Sequence, residues 1–200
     1  MYKLLKYVLA SILLAVFLAG CQDPRGTVRK VTADVDGNGS AVVLKPGLLL
    51  TAKHVATVSE HLYIEPEHIQ AKVLRVSNDH DLALLEAPGI KCPCAALAES
   101  EPSRDNKVAI IGYPLGSSVE MQVRTEGLLQ GTILDKYVTS APGTYGNSGG
   151  GLFVGEYLIG IVVEGILQPG MTAFGPLAVP ANYLMRSIKL SVIKEFVNGS

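Results

Sequence analysis

The sequence predicts an all-β chain made of two six-stranded halves and closed by a C-terminal helix. Three observations carry that expectation. Short β-rich runs broken by Gly, Pro, Asn and Asp recur at close spacing from about Thr27, the pattern of a barrel or sandwich. A stretch with little periodicity, Ala87 to Asn106, is punctuated by Pro88, Pro93 and Pro102 and splits the runs into two sets. At the end, from about Asn182 to Val197, Leu184, Ile188, Val192, Ile193, Phe196 and Val197 fall at helical spacing, as on a helix packed against a core.

Taken in order, residues 22–27 read as a short tether with Pro24, Arg25 and Gly26. The first set of strands is expected at Val28–Thr32, Ser40–Leu44, Leu48–Thr51, Leu62–Glu65, Gln70–Val76 and Leu82–Glu86, with Lys45-Pro46-Gly47 turning between the second and third. The second is expected at Val108–Gly112, Met121–Leu129, Lys136–Ser140, Gly151–Val154, Tyr157–Val163 and Phe174–Val179. Two hundred residues, 48% of them hydrophobic, suffice for one domain over residues 31–200, with halves at about 31–86 and 107–180 and the helix at 182–197. A formal charge of -1 without a basic stripe gives no pointer to a nucleic-acid partner, and none is expected. No cluster of Cys and His has metal-ligand spacing, so neither a metal nor another cofactor is expected.

The chemistry gathers at Gly146-Asn147-Ser148-Gly149-Gly150, a serine between glycines that allow positive φ and leave the amides beside Ser148 free to point at one place. That place suits an oxyanion held by the N–H groups of Gly146 and Ser148. Two earlier stretches complete a set. Thr51-Ala52-Lys53-His54-Val55 follows the apolar run Leu48 to Leu50, and Asp81-Leu82-Ala83-Leu84-Leu85 leads into a strand. The spacing Gly146-x-Ser148-x-Gly150 also satisfies the nucleophile elbow of the α/β-hydrolases, which needs a histidine after the serine. All four histidines, His54, His61, His68 and His80, precede Ser148, so that reading fails.

The order His54, Asp81, Ser148 resembles that of the trypsin-like serine peptidases. Within them, Gly37-x-Gly39-Ser40, Ile110-Ile111-Gly112-Tyr113-Pro114 and Ala178-Val179-Pro180-Ala181-Asn182 resemble the HtrA (Deg) type. The resemblance implies two six-stranded antiparallel β-barrels and a catalytic triad in which Ser148 is nucleophile, His54 general base and Asp81 its orienting acid. Asp81 is preferred over Asp79 because it abuts the strand, while His80, His61 and His68 read as loop or surface residues. Only 20 residues follow Pro180, so the resemblance is to the peptidase domain without a PDZ module. It also places the base of the primary pocket near Ala141 and Pro142 and one wall on Val163, Glu164 and Gly165. With no carboxylate at the base, that pocket suits a small or medium aliphatic residue before the scissile bond. Glu164 is expected to favour a basic residue further upstream in the substrate.

The N-terminus is a separate object. Lys3 and Lys6 precede an uncharged stretch from Tyr7 to Gly20, 14 residues against the roughly 20 of a membrane-spanning helix. Leu18-Ala19-Gly20-Cys21 resembles the lipobox of bacterial lipoproteins, which implies cleavage after residue 20 and lipid on Cys21. Residues 21–30 then form a lipidated tether holding the protein to a bacterial membrane, facing the periplasm. In such a compartment Cys92 and Cys94 either form a disulfide across Pro93 or remain thiols. Three functions follow: an anchored serine endopeptidase acting on proteins or peptides, a non-catalytic protein-binding lipoprotein of the same fold, or an esterase using the same triad.

Overall fold

The fold rests on tight antiparallel pairing. The structure, a computed structural model, describes residues 23–34, 37–115, 121–166 and 184–199. After a 3-10 turn at Pro24–Thr27 come β1 (Val28–Ala33), β2 (Asn38–Lys45), β3 (Leu48–Thr51), the single-turn helix α1 (Lys53–Ala56), β4 (Leu62–Glu65), β5 (Ile69–Val76) and β6 (Ala83–Glu86). These strands close a barrel in the order β1-β2-β3-β6-β5-β4. The second barrel is built from β8 (Lys107–Gly112), β9 (Val123–Ile133), β10 (Lys136–Thr139), β11 (Gly151–Val154), β12 (Tyr157–Ile166) and β13 (Leu184–Lys189). Its order is β11-β8-β9-β10-β13-β12, closed by pairing of β11 with β12, and the two-residue β7 (Ala96–Leu97) runs parallel to β12 at its edge. Helix α2 (Leu190–Asn198) ends the described chain.

The double barrel agrees with the expectation from sequence, with one correction at the end. The helix begins at Leu190, not at Asn182, because Leu184–Lys189 is a strand paired on both sides. Ile188 faces Lys136 of β10 and Ile161 of β12, and Ser187 faces Tyr137 and Val162. Two ladders of backbone bonds outweigh the local helical spacing. The expected strand Phe174–Val179, the segment 1–20 and Cys21 lie outside the described residues. In the crossover, Cys92 and Cys94 are joined as a disulfide, with Cα atoms 4.5 Å apart.

Leu49, Leu50, Leu62, Ile64, Leu82 and Leu85 fill the first barrel, and Ile110, Leu129, Tyr137, Leu152 and Val162 the second. Ile111, Phe153, Leu158, Ile161, Ile188 and Ile193 belong to the second half yet pack into the cluster of the first. The seam between the barrels is therefore core, and each such side chain contributes on the order of 1.5–3 kcal/mol by leaving water. Polar ties supplement it. Gln122 Nε2 donates to the carbonyls of Arg25 and Val28 at 2.9 and 3.2 Å. Arg75 donates to the carbonyls of Phe196 and Gly199 and lies over the Phe196 ring, binding α2 to the first barrel. His80 Nδ1 donates to Asp135 Oδ2 at 2.9 Å, joining the β5–β6 loop to the β9–β10 turn.

Burial pushes the Asp135 carboxyl upward, but the His80 hydrogen bond and the Lys136 charge prevail and hold it below the ordinary carboxylate value. A depressed pKa contributes stability that is present above the unfolded value, about 3.9, and is lost as pH falls through the folded one. Asp135→Asn should therefore cost about 1 kcal/mol at neutral pH. The deficit should persist down to about pH 4 and close below it, as measured by urea unfolding of both proteins from pH 7 to pH 3.

Candidate active site

The apolar run of β3 ends at buried Thr51, and the one-turn helix α1 then lifts His54 to the surface while Val55 and Ala56 stay buried. Asp81 sits in a tight β5–β6 loop. There Ser77 N–H donates to the Leu82 carbonyl at 2.9 Å, Leu82 N–H to that of His80 at 2.9 Å, and His80 N–H to Ser77 Oγ at 3.1 Å. Lys53 Nζ donates to the Ser77 carbonyl at 2.8 Å and braces this loop against α1. The two side chains meet directly: His54 N–H donates to Asp81 Oδ1 at 3.0 Å and His54 Nδ1 to Oδ2 at 2.7 Å. With Nδ1 carrying the proton, Nε2 presents its lone pair to the cleft. Burial raises the Asp81 pKa, yet the bonds from the His54 side chain, the His54 backbone and the Lys53 backbone outweigh it and keep the carboxyl below its ordinary value. Asp81 is thus an anion at neutral pH.

The loop before β11 carries Ser148. Gly146 and Gly149 have φ of 92° and 81°, conformations costly for any residue with a Cβ. Tyr145 C=O accepts from Leu115 N–H at 2.7 Å and Asn147 C=O from Gly150 N–H at 2.8 Å, while the carbonyls of Gly146 and Ser148 are bound by Ser40 of β2. Asn147 N–H and Gly149 N–H are spent on Thr144 and Val162. That leaves the N–H groups of Gly146 and Ser148 without an acceptor among the described residues. A cleft of about 460 Å³ brings His54 and Gly146 onto one wall system with Val55, Val58, Leu115 and Tyr145.

A second pocket, about 250 Å³, lies on the other side of Tyr145 and is lined by Gly143, Thr144, Val163, Glu164, Gly165 and Met185. Pro142, expected at its base, is not part of the lining: it is exposed, and its carbonyl accepts from Thr125 Oγ1 at 2.5 Å. Met185 takes that place, pressed so closely on Gly143 that a Cβ there would lie 2.8 Å from Met185 Cε. Sequence reasoning missed Met185 because it stands on the strand read as helix. Glu164 is flanked by Arg186 Nη1 at 3.2 Å and Lys136 Nζ at 3.6 Å. Both cations approach the same oxygen, Oε1, of this part-exposed carboxylate, so the protein already supplies it with positive partners. The competing residues are occupied elsewhere: His68 pairs with Glu65 and stacks on Tyr63, His61 with Gln70, His80 with Asp135, and Asp79 is exposed.

Two antiparallel barrels, with a histidine–aspartate pair on one and a serine between glycines on the other, define the class of trypsin-like serine peptidases. Residues 39–161, more than half of the chain, match the trypsin-like peptidase domain family, and the chain belongs to that family. Over 149 residues it is 30% identical to the Arabidopsis thaliana protein Protease Do-like 4, mitochondrial, a match covering 64% of this chain and 28% of that protein. Among solved structures it is similar to the serine endoprotease from Yersinia pestis, with a TM-score of 0.72 and 22% identity over 86% of this chain and 62% of that one. A similar likeness holds to the HtrA-type protease AlgW solved with a tripeptide, at a TM-score of 0.70 and 23% identity over 88% of this chain and 61% of that one. At those identities the structural likeness speaks for the fold. The chain spans under a third of the curated relative and under two thirds of these structures.

A Cβ on Gly149 would overlap the Ser40 carbonyl oxygen and Thr51 Oγ1, besides straining the backbone at φ 81°. Gly149→Ala should accordingly destabilise the protein by more than about 2 kcal/mol in thermal or urea unfolding, a substitution that in an open loop would be nearly silent.

Proposed function

We propose that the chain is a serine endopeptidase that hydrolyses peptide bonds of proteins through His54, Asp81 and Ser148. The observation that carries this reading is the pair of bonds from His54 to Asp81, set across one cleft from a loop whose Gly146 and Ser148 amides are unclaimed among the described residues. Ser148 Oγ attacks the substrate carbonyl carbon while its proton passes to His54 Nε2. No hydrogen bond joins Oγ to Nε2 among the described residues, and in this reading it forms once a substrate is bound. Asp81 holds the imidazole tautomer and stabilises the imidazolium. The oxyanion is received by the N–H groups of Gly146 and Ser148, each such donor being worth about 3 to 4 kcal/mol in the transition state. Collapse expels the amine, which takes the proton from His54, and water then repeats the sequence on the acyl-enzyme.

The pocket between Gly143 and Val163 binds the residue before the scissile bond. Met185 and Val163 make its surface apolar, Gly165 leaves its mouth open, and Glu164 is neutralised by its neighbours. A small or medium aliphatic residue fits there. A buried arginine or lysine would find no free carboxylate and would cost several kcal/mol. The lipobox-like Leu18 to Cys21 supports export, lipid on Cys21 and residence on a bacterial membrane facing the periplasm. More than one acyl chain on that residue makes such anchoring stable.

Fluorophosphonate labelling and peptide hydrolysis, compared between the parent and Ser148→Ala, test the reading: both should vanish while folding is retained. His54→Ala should abolish turnover, and Asp81→Asn should lower it about 10⁴-fold, whereas Asp79→Asn should leave it unchanged. Peptide-library profiling should show cleavage after Val, Ala or Leu, and dominant cleavage after Arg or Lys sinks the pocket assignment. In cells expressing the full chain, detergent partitioning should move the protein to the aqueous phase on Cys21→Ser.

A further inference from the structure

The loop that carries Ser148 is tied by two hydrogen bonds to a residue of the other barrel. Ser40, on β2, is fully buried and uses every polar atom it has. Its N–H donates to the Ser148 carbonyl at 2.8 Å, and its hydroxyl donates to the Gly146 carbonyl at 2.8 Å. The same Oγ accepts from Tyr113 N–H at 2.9 Å, and the Ser40 carbonyl accepts from Thr51 Oγ1 at 2.7 Å. Tyr113 fixes the direction of the hydroxyl: with one lone pair taken by an N–H, the remaining proton is aimed at Gly146.

The order of peptide units in the loop gives these bonds their meaning. The N–H groups of Gly146 and Ser148 belong to the units 145–146 and 147–148. The two carbonyls that Ser40 binds belong to the units 146–147 and 148–149, which alternate with them. A peptide unit is rigid and planar, so pinning its neighbours on either side limits how it can turn. Gly146 most needs that restraint, because at φ 92° a glycine can rotate to other conformations at little cost. The surroundings are equally tight. A Cβ on Gly112 would lie 3.1 Å from Ser40 Oγ, and one on Gly39 would lie 3.1 Å from the Ser148 carbonyl.

We propose that Ser40 is a positioning residue for the oxyanion hole, holding the Gly146 and Ser148 amides convergent from the opposite barrel. This rests on the peptidase reading above. Ser40 touches neither substrate nor reacting atoms. Its effect is on the transition state, when the oxygen becomes an anion, and not on binding of the peptide before attack.

The test uses Ser40→Ala, which removes the hydroxyl but keeps the amide bond to Ser148, and Ser40→Cys, which keeps a weak donor. Expected for Ser40→Ala is a fall in kcat of about 10- to 100-fold with KM within about twofold, and a smaller fall for Ser40→Cys. Affinity for a peptide aldehyde, whose adduct with Ser148 places an oxyanion in the hole, should drop in parallel with kcat. On a Ser148→Ala background, affinity for the intact substrate peptide should not change with Ser40→Ala. Unchanged kcat in both variants, or a rise in KM alone, overturns the proposal, as does lost peptide binding on the Ser148→Ala background. Should Ser40→Ala fail to fold, the kcat and aldehyde affinity of Ser40→Cys decide by the same criteria. An inert parent protein, unlabelled by fluorophosphonate at Ser148, overturns the peptidase reading and this proposal together. An active parent with undiminished Ser40 variants overturns this one alone.

Discussion

Ser148 and the His54–Asp81 pair stand on different barrels, joined in the chain by one crossover, so the geometry of the site is set by the seam between the halves. That seam is mostly apolar. Phe153, Ile161 and Ile188 cross from the second half into the core of the first, and burial of such side chains is strong but has little directionality. Direction comes from the few polar ties, which need defined angles. Ser40 at the Ser148 loop and His80 with Asp135 behind Asp81 are two of them, on separate elements, and together they restrain rotation that apolar contact alone would permit.

The charges around the site are arranged so that few remain uncommitted. Both Asp81 oxygens are engaged by His54, within a single barrel, so the orientation of the imidazole is settled before the second barrel contributes anything. From the β9–β10 turn across β10 to β12 and β13, the chain Asp135, Lys136, Glu164, Arg186 alternates in sign, which places cations beside the carboxylate on the wall of the smaller pocket without covering it. An apolar pocket beside a balanced wall discriminates by size and by the cost of desolvating charge, not by attraction to it.

Much of this was legible in the sequence, for local reasons. Leu48–Thr51, Leu62–Glu65 and Gly151–Val154 are short, β-rich and bounded by turn residues, and they stand where they were expected. What escaped depends on partners distant in the chain. Leu184 and Ile188 satisfy both a helical and an extended spacing, and only pairing with β10 and β12 decides between them. Met185 went unnoticed with them. Pro142 was placed by counting back from the nucleophile, which cannot foresee that Thr125 holds its carbonyl outside the pocket. Ser40 was visible as part of a motif, but the two loop carbonyls it binds lie more than a hundred residues away, where no local pattern reaches. The pairing of Cys92 with Cys94 stayed open in sequence because spacing alone does not separate a disulfide from two thiols.

The scattered origin of the loop's supports carries a consequence for the newly made chain. The four carbonyls from Tyr145 to Ser148 are held by groups from Leu115, Ser40 and Gly150. Two of those carbonyls depend on a residue of the first barrel, so they lack partners until the halves dock. A molecule with one barrel complete and the other still forming cannot yet hold the loop in its final shape. The shape of this loop therefore waits on the docking of the two halves. On the proposed peptidase reading, a chain assembled in this way has no formed site with which to digest itself while its own strands are still unpaired.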